Sequence, residues 1–183
     1  MQFFTRQDET TKLVELCRKG NSKAQYELYR LYSKAMYNTS LRIVGNREEA
    51  EDVLQEAFLD GFTKIDFYRG ESTFGAWLKS IVVNKSIARL RTRRLHFEDI
   101  DSFPAEPADD ENDDFEEDVN TIQILKMLLN ELSSGYRLVL SLYLFEGYDH
   151  KEISQILGIS EVTSRSQFIR AKQRLLELYK KRR

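Results

Sequence analysis

Residues 149–175, DHKEISQILGISEVTSRSQFIRAKQRL, read as two short helices joined at Gly158-Ile159-Ser160. Asp149 and Glu152 have the N-cap and N3 spacing of a capping box, in which each side chain satisfies a backbone N–H of the other. Ile153, Ile156 and Leu157 supply an apolar stripe, and Gly158 can take the left-handed turn that a side chain resists. Ser160 is placed to cap the second helix, along which Phe168, Ala171, Leu175 and Leu178 share an apolar face. Thr163, Gln167, Arg170 and Arg174 share a polar one. Two capped helices about a glycine turn imply a helix-turn-helix.

A helix that enters a DNA major groove needs side chains that reach base edges and cations that neutralise phosphate, and this one is followed by Lys180, Lys181, Arg182 and Arg183. A charged helix face is also what a merely solvated amphipathic helix shows. The glycine turn between two caps favours DNA.

The net charge of −2 hides a strong segregation of sign. Residues 1–94 carry 17 Lys/Arg against 12 Asp/Glu, residues 95–118 carry none against 12, and residues 119–183 carry 11 against 6. Two basic bodies therefore flank an acidic strap. The strap, HFEDIDSFPAEPADDENDDFEED from His96, holds both prolines and little aliphatic content, so it is expected to be a flexible linker.

Elsewhere apolar residues recur at three and four, and strand-like alternation is missing. The expected fold is all-α, with two small helical domains, residues 1–94 and 121–183, joined by the acidic linker at 95–120. Helices are expected to open at a Ser22–Gln25 capping box, at Asn46–Glu49 and near Ser72. Ala24, Leu28, Leu31, Tyr32 and Ala35 form one expected core stripe; Ala50, Val53, Leu54, Ala57, Phe58 and Ile65 form another. The lone Cys17 cannot make an internal disulfide and has the spacing of a packed thiol.

The sequence argues against catalysis and against a membrane role. His96 and His150 lie far from any paired carboxylates, and neither a Gly-rich phosphate loop nor metal-ligand spacing is present, so no enzyme, cofactor, metal or small-molecule substrate is expected. His150, beside the helix cap, is expected to be solvated. Long apolar runs are absent and MQFFTRQDETTK lacks signal-peptide character, which implies a cytoplasmic chain without direct membrane insertion.

Two further faces carry functional implications. Asp52, Gln55, Glu56, Leu59 and Thr63 lie opposite the buried stripe of their helix, so Leu59 is expected to be exposed among acidic and polar neighbours. That arrangement suits a partner helix with an apolar knob and basic residues. The segment FYRGESTFGAWLKSIVVNKSIARLRTRRL combines aromatics with a basic end, as single-stranded DNA requires. Phe74 and Trp77, with Leu78 and Ile81, have core spacing. Tyr68, Arg69, Glu71 and Ser72 are better placed to meet a base, with Asn84, Lys85 and Arg89 on the helix positioning the strand.

In their order along the chain, EEAEDVLQEAFLDGF, YRGESTFGAWLKSIVVN and EISQILGISEVTSRSQFIRAKQRL resemble three motifs of the extracytoplasmic-function sigma factors of bacterial RNA polymerase. The resemblance implies that the N-terminal domain docks on core RNA polymerase through Asp52, Gln55, Glu56 and Leu59. It further implies that this domain opens the minus-10 element and captures a base at the loop of Tyr68 to Ser72. The C-terminal domain would hold the minus-35 element of promoter DNA through Thr163, Arg165, Ser166, Gln167, Arg170 and Arg174, and an anti-sigma factor would hold the chain inactive.

Some positions depart from that pattern: Val162 replaces a usual glycine, Ser164 a usual aliphatic residue, and Gln167 a usual arginine. Gln167 favours adenine where arginine favours guanine, so base preference is where the departures bear. Ser133-Ser134 replaces a frequent Leu-Pro at a helix entrance. The competing expectation, a helix-turn-helix regulator that acts without being a polymerase subunit, explains only the C-terminal domain.

Overall fold

The structure, a computed structural model, describes residues 6–96 and 119–182, and these contain eight α-helices, one 3-10 turn and no strand. The acidic segment expected to act as a flexible linker lies almost wholly outside the described residues. The chain divides into two compact units, residues 1–93 and 94–183.

The first unit contains α1 (Arg6–Arg18), α2 (Ser22–Val44), α3 (Arg47–Thr63), the 3-10 turn Ile65–Phe67 and α4 (Phe74–His96). Short side chains set the boundaries. The Asn21 side chain accepts from the Ala24 N–H at 3.1 Å, so α2 is capped by Asn21 and not by a box starting at Ser22. Asn46 caps α3 by accepting from the Glu49 N–H at 3.0 Å, and Thr73 takes the same role for α4 through the Ala76 N–H at 3.2 Å.

The second expected core stripe, Ala50 to Ile65, is buried throughout. The first is buried only at Ala24 and Leu28; Leu31 and Tyr32 are half-buried and Ala35 is exposed, while Met36, Ile43 and Val44 take over farther along α2. The reason is tertiary, because Leu31, Tyr32 and Ala35 border an open cleft. Leu28 is fully buried, a contribution of about 1.5–3 kcal/mol. Inside this core the Ser86 hydroxyl donates to the Val82 carbonyl at 2.8 Å and lies 3.3 Å from the Ser40 hydroxyl, which ties α4 to α2 without orphaning a polar atom. Cys17 is buried, and burial pushes its thiol pKa up. Gly75 allows the aromatic packing here, since a Cβ at that position would lie 2.8 Å from Tyr32 Cε1.

The second unit comprises α5 (Val119–Glu131), α6 (Ser134–Leu144), α7 (His150–Leu157) and α8 (Glu161–Arg182). Leu128, Leu140, Leu142, Ile153 and Ala171 form its buried centre, with Phe168 and Leu175 of α8 packed at the margin. At the entrance to α6, Ser133 makes no side-chain cap bond. Arg137, almost fully buried, instead points its guanidinium back at the end of α5 and donates to the carbonyls of Asn130 and Leu132 at 3.4 and 3.5 Å. A cation suits the negative end of a helix, where these carbonyls have no helical partner.

Candidate nucleic-acid and polymerase interfaces

The C-terminal pair α7–α8 has the geometry of a helix-turn-helix. Glu152 N–H donates to Asp149 Oδ1 at 2.7 Å and Asp149 N–H donates to Glu152 Oε2 at 2.8 Å, completing the capping box. Gly158 sits at φ 69°, left-handed, and ends α7. Ser160 Oγ then accepts from the Thr163 N–H at 3.0 Å and starts α8.

Ser164, where an aliphatic residue was expected by resemblance, is fully buried, and its hydroxyl lies 3.0 Å from His150 Nδ1. His150, expected to be solvated, is therefore half-buried and engaged. Its ring stacks on Tyr143 with centroids 4.6 Å apart and meets the Phe168 ring edgewise at 5.6 Å. Burial, followed by the charge of Arg165, pulls the His150 pKa below its ordinary value. A buried hydroxyl demands a partner, and histidine at the start of α7 supplies one across the turn.

The polar residues of α8 fall into distinct settings. Thr163 and Arg165 are exposed, and Ser166, Gln167 and Arg170 are half-buried on the flank of the helix. Arg165 pairs with Glu161 at 2.5 Å and Arg174 with Glu177 at 2.7 Å, one helical turn away in each case. Val162 is 73% exposed on the first turn, a position that the polar-face pattern did not single out.

In the first unit Asp52, Gln55, Glu56 and Leu59 are all exposed on one face of α3, with Leu59 68% exposed. The same face meets the cations of α4. Arg89 lies 3.5 Å from Asp52 and 3.2 Å from Glu56; Lys85 lies 3.4 Å from Glu56 and 3.1 Å from Asp60; Arg93 lies 3.7 Å from Glu49. Lys85 and Lys64 together hold the Asp60 carboxyl below the usual carboxylate range. Along the chain these residues fall into a protein-binding set and a DNA-binding set; the fold brings Asp52 and Glu56 of the first together with Lys85 and Arg89 of the second as one ionic zipper. The signal lay in the spacing, since Glu49, Asp52, Glu56 and Asp60 recur at three and four, as Lys85, Arg89 and Arg93 recur at four.

The loop between the 3-10 turn and α4 closes on itself. Tyr68 Oη donates to the Ser72 carbonyl at 2.7 Å, and the Tyr68 ring packs against Phe74 and Trp77 with centroids 5.7 and 5.4 Å away. Burial raises the Tyr68 phenol pKa. From α1, Arg18 donates to the Tyr68 carbonyl, a tether that sequence spacing gave no means of finding. Phe74 is buried and Trp77 half-buried, while Arg69, Glu71 and Ser72 are exposed at the rim of a cleft of about 910 Å³ between this loop, α1 and α2. Leu31, Tyr32 and Ala35, absent from the full core, line that cleft. Asn84 is exposed farther along α4. Among the described residues no cluster of His, Cys, Asp and Glu could hold a metal ion, and no helix is long and apolar enough to cross a membrane.

Residues 28–96 match the family described as Sigma-70 region 2, and residues 122–175 match Sigma-70, region 4. The chain is 30% identical over 173 residues to the ECF RNA polymerase sigma-E factor of Escherichia coli (strain K12), covering 88% of this chain and 89% of that relative. It is 29% identical over 153 residues to the ECF RNA polymerase sigma factor SigM of Bacillus subtilis (strain 168), covering 84% and 93% respectively. Among solved structures it is similar to the sigma factor RpoE of Bartonella quintana in complex with the anti-sigma factor NepR, with a TM-score of 0.57, 25% identity, and coverage of 85% of this chain and 96% of that one. The fold is also that of CnrH in complex with the cytosolic domain of CnrY, at a TM-score of 0.52, 21% identity, and coverage of 92% and 95%.

Proposed function

The chain belongs to the extracytoplasmic-function RNA polymerase sigma factors of the sigma-70 family, and from that premise we propose a division of labour between its two units in promoter-specific initiation. The first unit docks on core RNA polymerase through Asp52, Gln55, Glu56 and Leu59 of α3. It then opens the minus-10 element, with Tyr68, Arg69, Glu71 and Ser72 around the captured base and Asn84, Lys85 and Arg89 along the strand. The second unit holds the minus-35 element with Thr163, Arg165, Ser166, Gln167, Arg170 and Arg174 of α8. Bond-making stays with the polymerase, and this chain contributes recognition.

One observation carries the reading: a region 2 unit with an exposed acidic-apolar helix face and a capped helix-turn-helix occur in that order in one chain. A regulator independent of polymerase would leave the first unit without a purpose. Segment 1–94 then serves docking and melting, segment 95–120 is the acidic connection, and segment 121–183 reads duplex. Two small modules add their contacts only when something fixes their separation, and polymerase does so. The solved relative bound to NepR supports an anti-sigma partner for this chain as well, acting in the cytoplasm.

Run-off transcription with purified core polymerase tests the reading. Asp52→Lys with Glu56→Lys abolishes polymerase binding while the fold survives; Arg170→Ala weakens minus-35 recognition and leaves polymerase binding intact. If both variants transcribe like the parent, the assignment is wrong.

A further inference from the structure

We infer that Val162 reads a base: in the minus-35 duplex its isopropyl group packs on the 5-methyl group of a thymine in the major groove. The inference rests on the assignment of α8 as the recognition helix and goes one step past it. Val162 is the second residue of α8 and is 73% exposed. Burial does not account for it, and neither does helix propensity, since a β-branched side chain is a poor choice for an exposed helical position.

The neighbours on that turn are polar and each makes a local bond. Ser160 and Thr163 hydroxyls lie 2.8 Å apart within the cap, Glu161 pairs with Arg165 at 2.5 Å, and the Ser166 hydroxyl donates to the Val162 carbonyl at 3.0 Å. The turn therefore projects a stiff apolar group flanked by polar groups that are held in place by local bonds and keep further donors and acceptors for DNA. In a helix-turn-helix the N-terminal residues of the second helix are the ones that reach base edges. The major-groove edges of the four bases offer hydrogen-bonding groups throughout and a single apolar group, the thymine methyl. An exposed isopropyl at that place has one chemical match.

The test uses the holoenzyme reconstituted from the full chain and core polymerase, with a promoter duplex selected from a library randomised at the minus-35 element. Each thymine of the selected element, on either strand, is replaced in turn by deoxyuridine, which deletes only the methyl. Removing one methyl–isopropyl contact is expected to weaken binding about three- to fivefold at one position, from roughly 0.8 kcal/mol per buried CH₂. Val162→Ala, the better helix former, should bind the thymine duplex more weakly by a similar factor and lose its sensitivity to deoxyuridine there; Val162→Gly should do the same. A parent that is indifferent at every thymine overturns the inference, as does a Val162→Ala variant that keeps full discrimination. Absence of any minus-35 footprint overturns the recognition-helix assignment itself, which separates the two failures.

Discussion

Deleting the His150 ring should destabilise the second unit far more than its position beside a surface cap suggests. His150→Ala removes the hydrogen bond to Ser164 at 3.0 Å, the Tyr143 stack at 4.6 Å and the edgewise Phe168 contact at 5.6 Å. A net hydrogen bond contributes about 0.5–1.5 kcal/mol and each aromatic contact about the same, so the loss is about 2–4 kcal/mol. Ser164→Ala removes only the hydrogen bond and costs about 1 kcal/mol. For a domain of this size a loss of 1 kcal/mol lowers Tm by about 4–8 °C, so the two variants should separate clearly in calorimetry of the full chain. Trp77, the only tryptophan, lies in the first unit and supplies an internal control: its fluorescence transition should not move. The same ring predicts the pH dependence. Because burial lowers the folded-state pKa below the ordinary 6.5, the unfolded chain takes up the proton first on acidification. The contribution to stability is therefore complete above about pH 6.5, falls as pH drops toward the folded-state pKa, and then levels off. NMR titration of the ring protons reads this directly. A His150 that titrates at or above the ordinary value, or a His150→Ala protein whose second transition shifts by less than about 2 °C, refutes the packing argument.

Gly75→Ala should cost the first unit about 1–3 kcal/mol by forcing the Tyr32 ring aside, seen as a lower midpoint of the Trp77 transition in urea; an unchanged midpoint would mean the helix and ring part without strain. Leu59→Ala should leave thermal stability unchanged, because the side chain is exposed, while weakening core polymerase binding about tenfold in a fluorescence titration. Glu56→Gln, which removes one carboxylate from both Lys85 and Arg89, should change stability by less than about 1 kcal/mol, given how little exposed ion pairs contribute. It should also steepen the salt dependence of nonspecific DNA binding by up to about one unit of slope, since Lys85 and Arg89 each lose one restraining carboxylate while keeping Asp60 and Asp52; an unaltered slope would show that the zipper does not compete with DNA.

The parts of the molecule legible in its sequence are those fixed by local geometry. The Asp149–Glu152 box, the Gly158 turn and the buried stripe from Ala50 to Ile65 depend on spacing within one or two helical turns, and spacing is what a sequence records. The opening of α2 is displaced by one residue because Asn21 and Ser22 are both good caps, and only the reach of the Asn21 side-chain oxygen to the Ala24 N–H decides between them. Leu31, Tyr32 and Ala35 carry the right period for a core, yet whether that side of α2 is covered depends on where α1 and the Tyr68–Ser72 loop lie. The ion pairs from Glu49 to Asp60 with α4 join helices far apart in sequence, and each residue taken alone reads as a surface charge. His150 poses the same difficulty: its partner Ser164 lies 14 residues away, and only the turn places the two side chains together.

The ionic zipper gives one row of carboxylates two claimants. Asp52 and Glu56 face outward where a docking partner would bind, and inward they restrain Arg89 and Lys85. On the proposed assignment a lesion in that row is never a single-variable experiment: a change that loosened the grip on the enzyme would also loosen the hold on the cations proposed to follow the opened strand. Genetic suppressors of such lesions should accordingly be sought on α4 as readily as on the polymerase.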